Sequence, residues 1–82
     1  MPYKIDLSTE VVADYQRLQP WAQRSLEAAL LVASDDPHRL PAVPQQSEHA
    51  RILSFADGRG LCMVEIDDDA KRLAVRLIEP PR

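Results

Sequence analysis

Residues 50–79 decide how this chain of 82 residues folds. They read Ala50-Arg51-Ile52-Leu53-Ser54-Phe55, then Asp57-Gly58, then Leu61-Cys62-Met63-Val64-Glu65-Ile66, then Asp67-Asp68-Asp69-Ala70-Lys71, then Arg72-Leu73-Ala74-Val75-Arg76-Leu77. Leu53 and Phe55 flank Ser54 with a period of two, the spacing of a half-buried strand. Asp57-Gly58 is a hairpin-turn pair, because both residues tolerate positive φ. The nearly continuous apolar run Leu61–Ile66 suits a central strand, and the aspartates after it form a second polar turn. Leu73, Val75 and Leu77 then alternate with Arg72, Ala74 and Arg76 in a last strand, which Pro80-Pro81 ends by removing pairing donors. Three strands joined by short turns predict an antiparallel meander.

Upstream, the periodicity changes. Tyr3, Ile5 and Leu7 alternate with Lys4, Asp6 and Ser8 in a short strand. Ser8 or Thr9 can cap a helix, and Glu10 puts negative charge where the helix dipole favours it. Val11, Tyr15 and Leu18, with Val12 beside them, form an apolar stripe at helical spacing. Pro20 cannot continue that helix but suits the first position of another. Ala22, Leu26, Ala29, Leu30 and Ala33 repeat along this second helix, and Ser34-Asp35-Asp36-Pro37 stops it. Residues 9–34 therefore read as a helical hairpin. Residues 35–49 carry three prolines and no period, a long loop that Leu40 and Val43 are expected to pin to the core. The order is β-α-α-β-β-β: an α+β fold in one domain, 1–82, with both helices on one face of a twisted four-stranded sheet.

Composition narrows what such a chain can do. At 82 residues it has no room for a two-domain enzyme or a large barrel. A hydrophobic fraction of 45% with a net charge of -3 predicts a folded core rather than disorder. The lone Cys62 excludes an internal disulfide and a multi-thiolate zinc site, and with no membrane span or export signal in the sequence the expected setting is a reducing cytoplasm. The pI near 5.2 gives no general attraction to nucleic acid. Residues 1–41 hold four basic and six acidic side chains, and residues 42–82 six and seven, so neither half is a charged tail.

Several residues could carry chemistry. Arg51, Arg59, Arg76 and Arg82 are candidates for a target-binding patch at one end of the sheet, against the plainer reading of solvated strand arginines. His49, just before the second strand, is the ready general base near that face; His38 in the Pro-rich loop ranks below it. Asp67, Asp68 and Asp69 lack the spacing of a calcium loop and read as a solvated turn, so no metal or other cofactor is expected. Cys62 reads as a small buried apolar residue. Trp21 reads as a core anchor, with an exposed interface residue as the alternative.

Taken together, Tyr3-Lys4-Ile5-Asp6-Leu7-Ser8, a second helix closing on Asp35-Asp36-Pro37, Arg51–Phe55, Val64–Asp69 and Leu73–Ile78 resemble the RelE/ParE toxin superfamily of bacterial toxin-antitoxin systems over essentially the whole chain. The resemblance implies a small α+β toxin neutralised by a cognate antitoxin. RelE-like members cut messenger RNA on the ribosome, and ParE-like members act on DNA gyrase. Cleavage there uses basic residues and often a terminal Tyr or His to bind phosphate, stabilise charge and move protons. Arg51 matches the family's arginine at the start of the second strand. Leu61 stands where family members commonly carry an arginine, residues 44–48 replace a lysine-rich loop, and Glu79-Pro80-Pro81-Arg82 ends the chain without His or Tyr. The leading expectation is a toxin component acting through protein association, its catalytic site weakened or lost. An active endoribonuclease using Arg51, Arg76 and His49, and a non-toxic interaction module on the same scaffold, stay open, and with them whether the chain is an enzyme.

Overall fold

In the computed structural model, which describes residues 2–82, strand β1 (Lys4–Leu7) leads directly into helix α1 (Thr9–Gln16). Ser8 makes that junction: its backbone is still extended, and its hydroxyl accepts a hydrogen bond from the Val11 amide at 3.4 Å. Pro20 opens helix α2 (Pro20–Asp35). The two helices are joined at their polar margin, where the Tyr15 hydroxyl donates to Glu27 and the Gln23 amide donates to the Tyr15 carbonyl. After a 3₁₀ turn at Pro37–Arg39 come β2 (Ala50–Phe55), β3 (Gly60–Asp67) and β4 (Arg72–Glu79). The expected α+β order is therefore present.

The sheet runs β1-β4-β3-β2. The three later strands form the antiparallel meander, and β1 adds in parallel alongside β4. This makes β4 an interior strand. Both helices cover one face, where Leu26, Val64, Leu73, Val75 and Cys62 are fully buried. Burying such aliphatic side chains contributes roughly 1.5–3 kcal/mol each, the main stabilising term in a chain with no cross-link. The other face of the sheet is open. No helix is long and apolar enough to cross a membrane among the described residues.

Four local expectations need correction. Strict alternation predicts Leu77 in the core, but a β-bulge at Arg76 reverses the parity: Val64 pairs with Val75 while Met63 pairs with Leu77, leaving Leu77 40% exposed and Ile78 5% exposed. The β2–β3 turn is wider than the Asp57-Gly58 pair alone. Ala56, Asp57 and Gly58 all have positive φ, and the Ser25 hydroxyl accepts the Ala56 amide at 2.8 Å. Trp21 is no core anchor; it is 44% exposed, with the Arg59 guanidinium 5.4 Å from its ring centroid. That guanidinium partly screens the indole from water.

The long loop is the fourth departure from local pattern. Only Leu40 of the two expected anchors packs on the core. Val43 is held instead by backbone pairing with Ala50, and Ala42 bridges Arg51.

Candidate functional site

On the open face, a cleft of about 550 Å³ lies over the β3–β4 end of the sheet. Period-two geometry sends Glu65 and Asp67 outward from β3, and Arg72 outward from β4, because their neighbours face the helices. Arg76 joins it from further along β4. Asp6 enters from β1, Asp68 and Asp69 from the turn, and Ser47 with His49 from the loop before β2. The cleft thus collects five carboxylates and two guanidinium groups. One of those guanidiniums is already engaged, since Arg76 Nε donates to Glu65. Both partners are about half exposed, so the pair adds little stability, but it changes what Arg76 offers an incoming anion.

The predicted arginines do not form one patch. Arg76 and His49 share the cleft. Arg59 and Arg82 lie together around the β2–β3 turn, where the Arg82 amide donates to the Arg59 carbonyl at 3.3 Å. Arg51 belongs to neither group. It pairs with Val64, a core-facing position, and its guanidinium donates to the carbonyls of Glu48, His38 and Leu40, each at 3.0 Å. Three carbonyls on one fork make Arg51 a clamp on the loop. His49 has its imidazole half exposed, and its nearest acidic oxygen, on Glu48, is 4.0 Å away, too far for a hydrogen bond. Its carbonyl accepts the Ile66 amide at 2.9 Å, which fixes the backbone at the cleft margin.

One cluster was not foreseen. Asp68 Oδ1 accepts the Tyr3 hydroxyl at 2.6 Å and lies 2.8 Å from His38 Nε2. The residue leading into β1, the 3₁₀ turn and the β3–β4 turn therefore meet on one oxygen, so Asp68 is not the merely solvated turn residue the sequence implies. The Tyr3 hydrogen bond, aided by His38, holds the Asp68 carboxyl below the usual carboxylate range, and the same bond pushes the Tyr3 phenol up. Asp67 caps the turn itself, accepting the Ala70 amide at 3.1 Å. Cys62, wholly buried, has its thiol pushed up to about 12 by burial and stays protonated at neutral pH.

Sequence spacing could have revealed Glu65 and Arg76 as outward residues on adjacent strands. Their contact needed the register, which sets Ala74 opposite Glu65 and so puts Arg76 on the diagonal beside it. No signal in the sequence joins Tyr3 or His38 to Asp68, which are 65 and 30 positions away.

Chemically, the cleft holds an exposed imidazole and a guanidinium, the minimum for proton transfer beside a phosphate. It holds them among carboxylates that disfavour a polyanion. An oligonucleotide would have to compete with Glu65 for Arg76 while facing uncompensated negative charge.

No protein-family model matches the sequence, and no curated protein does either. Solved structures do match. Superposition on a double arginine-to-alanine mutant of the E. coli toxin RelE in the free state gives a TM-score of 0.86 at 11% identity, covering 98% of this chain and 84% of that one. The toxin-antitoxin complex RelBE2 from Mycobacterium tuberculosis gives 0.80 at 18% identity, over 100% and 93% of the two chains. The intact E. coli RelBE toxin-antitoxin complex gives 0.77 at 12%, over 98% of each. The chain has the RelE-like toxin fold.

Proposed function

We propose that this chain, read as a single domain, is the toxin-type component of a bacterial toxin-antitoxin pair and works by protein association, with an RNA-cleaving site weakened or lost. The observation that carries the reading is the charge of the cleft. On a RelE-like sheet, the open face presents five carboxylates against two guanidinium groups, and Glu65 already occupies Arg76. Phosphodiester binding needs net positive potential, because backbone neutralisation by Lys and Arg supplies most of the affinity for nucleic acid. A protein surface tolerates mixed charge far better. Leu61 in place of an arginine points the same way.

The partners that go with this reading are a cognate antitoxin and a cytoplasmic target, either DNA gyrase or a ribosomal component. The other reading with a specific observation behind it is the active endoribonuclease, because His49 and Arg76 line the same cleft. In that reading His49 moves the proton of the attacking ribose hydroxyl and Arg76 stabilises the phosphorane, with Arg51 holding the loop that carries His49.

Controlled expression in a bacterial host separates these readings. Growth arrest without codon-positioned cuts in messenger RNA is the expected result. Arrest with such cuts, abolished by His49→Ala or Arg76→Ala, would replace it with the nuclease. Normal growth would sink both toxin readings and leave an interaction module on this scaffold.

A further inference from the structure

The open face of the sheet divides along β3. Toward the β2–β3 turn the outward residues are Leu61 and Met63; toward the β3–β4 turn they are Glu65 and Asp67. The bulge at Arg76 enlarges the apolar half, because it turns Leu77 outward beside Met63. Ile52 of β2 lies against Met63 from the other side. Ile52, Met63 and Leu77 therefore make an apolar row across three strands. Leu77 is 40% exposed, the other two are half-buried, and both helices pack on the opposite face. The acidic half starts two residues further along β3, about 7 Å away, and Leu61 to Asp67 spans about 20 Å.

We propose that this face docks a cationic amphipathic segment of a protein partner. Its apolar side chains seat on Ile52, Met63 and Leu77, and its Lys or Arg side chains reach Asp6, Asp67 and Asp69. The inference rests on the protein-association reading above and names the chemistry of the partner. Charge complementarity selects the occupant: the carboxylates of the cleft outnumber its guanidiniums five to two, so a neutral or acidic segment would leave them uncompensated. Nucleic acid fits poorly for a second reason. Sequence-tolerant binding of single strands relies on aromatic platforms, and no Phe, Tyr or Trp is among the outward residues of β2, β3 and β4. The apolar row supplies the desolvated centre of such an interface, and the carboxylates at its margin set approach and orientation.

The test uses the full chain, labelled with ¹⁵N. The probe is a synthetic helical peptide of about 14 residues, enough to span about 20 Å, with Leu at one end and Lys at the other. A second peptide replaces every Lys with Glu, and an oligouridylate serves as the nucleic-acid probe. The expected result is amide-shift changes confined to residues 5–7, 51–53, 61–69 and 72–78, with the Glu peptide binding at least tenfold more weakly. Leu77→Asp should weaken the Lys peptide by tenfold or more. Asp69→Lys, in an exposed turn where folding is not at stake, should slow association and flatten its salt dependence. Shifts mapping elsewhere, equal binding of the Glu peptide, or oligouridylate moving the same amides at lower concentration would each overturn the proposal. Growth arrest with peptide shifts elsewhere sinks this surface and spares the association reading, while normal growth with shifts on this face does the reverse.

Discussion

Gly60 shows how narrowly one residue can be specified. It sits opposite Phe55 across the β2–β3 pair, and a β-carbon there would lie 2.6 Å from the phenyl ring. The ring is itself buried, so it cannot swing aside without opening a gap. Gly60→Ala is expected to cost about 1–3 kcal/mol, the range for overpacking a filled core, and urea unfolding of the two proteins checks it. Asp68 offers a test of a different kind. Its carboxyl is held low chiefly by the Tyr3 hydroxyl. A depressed folded-state pKa contributes stability above the ordinary carboxylate range, and that contribution is lost as pH falls through the folded value. Tyr3→Phe should therefore raise the Asp68 pKa toward the ordinary range and move this acid-side loss to higher pH. Carboxyl NMR titration reads the shift directly, and an unmoved Asp68 would show that the hydroxyl is not the cause. Neither contact was visible in the sequence, where Asp68 reads as one of three aspartates in a solvated turn.

Among the elements, the helices were the most legible and the loop the least. Val11, Ala22, Leu26, Leu30 and Ala33 are all buried where the helical spacing puts them, because intrahelical bonds fix each side chain's direction from its neighbours alone, whereas Val12 of the expected stripe is 37% exposed and Leu18 is buried just past the end of α1. The last strand was legible only to Val75. Beyond it an unpaired extra residue, Arg76, reversed the alternation, and nothing local distinguishes Arg76 as the residue that bulges. The segment between α2 and β2 has no period to read, yet it is held by the Arg51 fork. Arg51→Lys keeps the charge but cannot place the same planar donors on the carbonyls of His38, Leu40 and Glu48. We expect it to cost about 1–2 kcal/mol, at the scale of charge-assisted hydrogen bonds discounted for partial exposure. Faster amide exchange should accompany it, confined to residues 38–50. Uniformly faster exchange across the sheet would mean that Arg51 stabilises the fold rather than the loop.

At the scale of the whole molecule, a net charge of -3 is modest, but the fold concentrates it where five carboxylates face one cleft. If that charge keeps nucleic acid away, the triple variant Glu65→Gln, Asp67→Asn, Asp69→Asn should bind a single-stranded oligoribonucleotide that the natural chain binds weakly. Its log affinity should fall with log salt by about 0.7 for each phosphate neutralised. Equal affinity for the two proteins would remove electrostatics as the reason for the weakened site. The core is also collective, since helices and all four strands share one apolar cluster. Leu26→Ala at its centre should cost about 2–5 kcal/mol and lower a single thermal transition. The order of elements, the faces of both helices and the antiparallel meander are legible in the chain alone, because these follow from hydrogen bonds and side-chain directions set within a few residues. Packing of the whole chain set the rest: β1 lies parallel to β4, Leu77 faces outward, Arg76 meets Glu65, and Tyr3 and His38 converge on Asp68. Those contacts join residues 11 to 68 positions apart, and a separation of that size is bridged by the packing of the whole sheet, which no local spacing records.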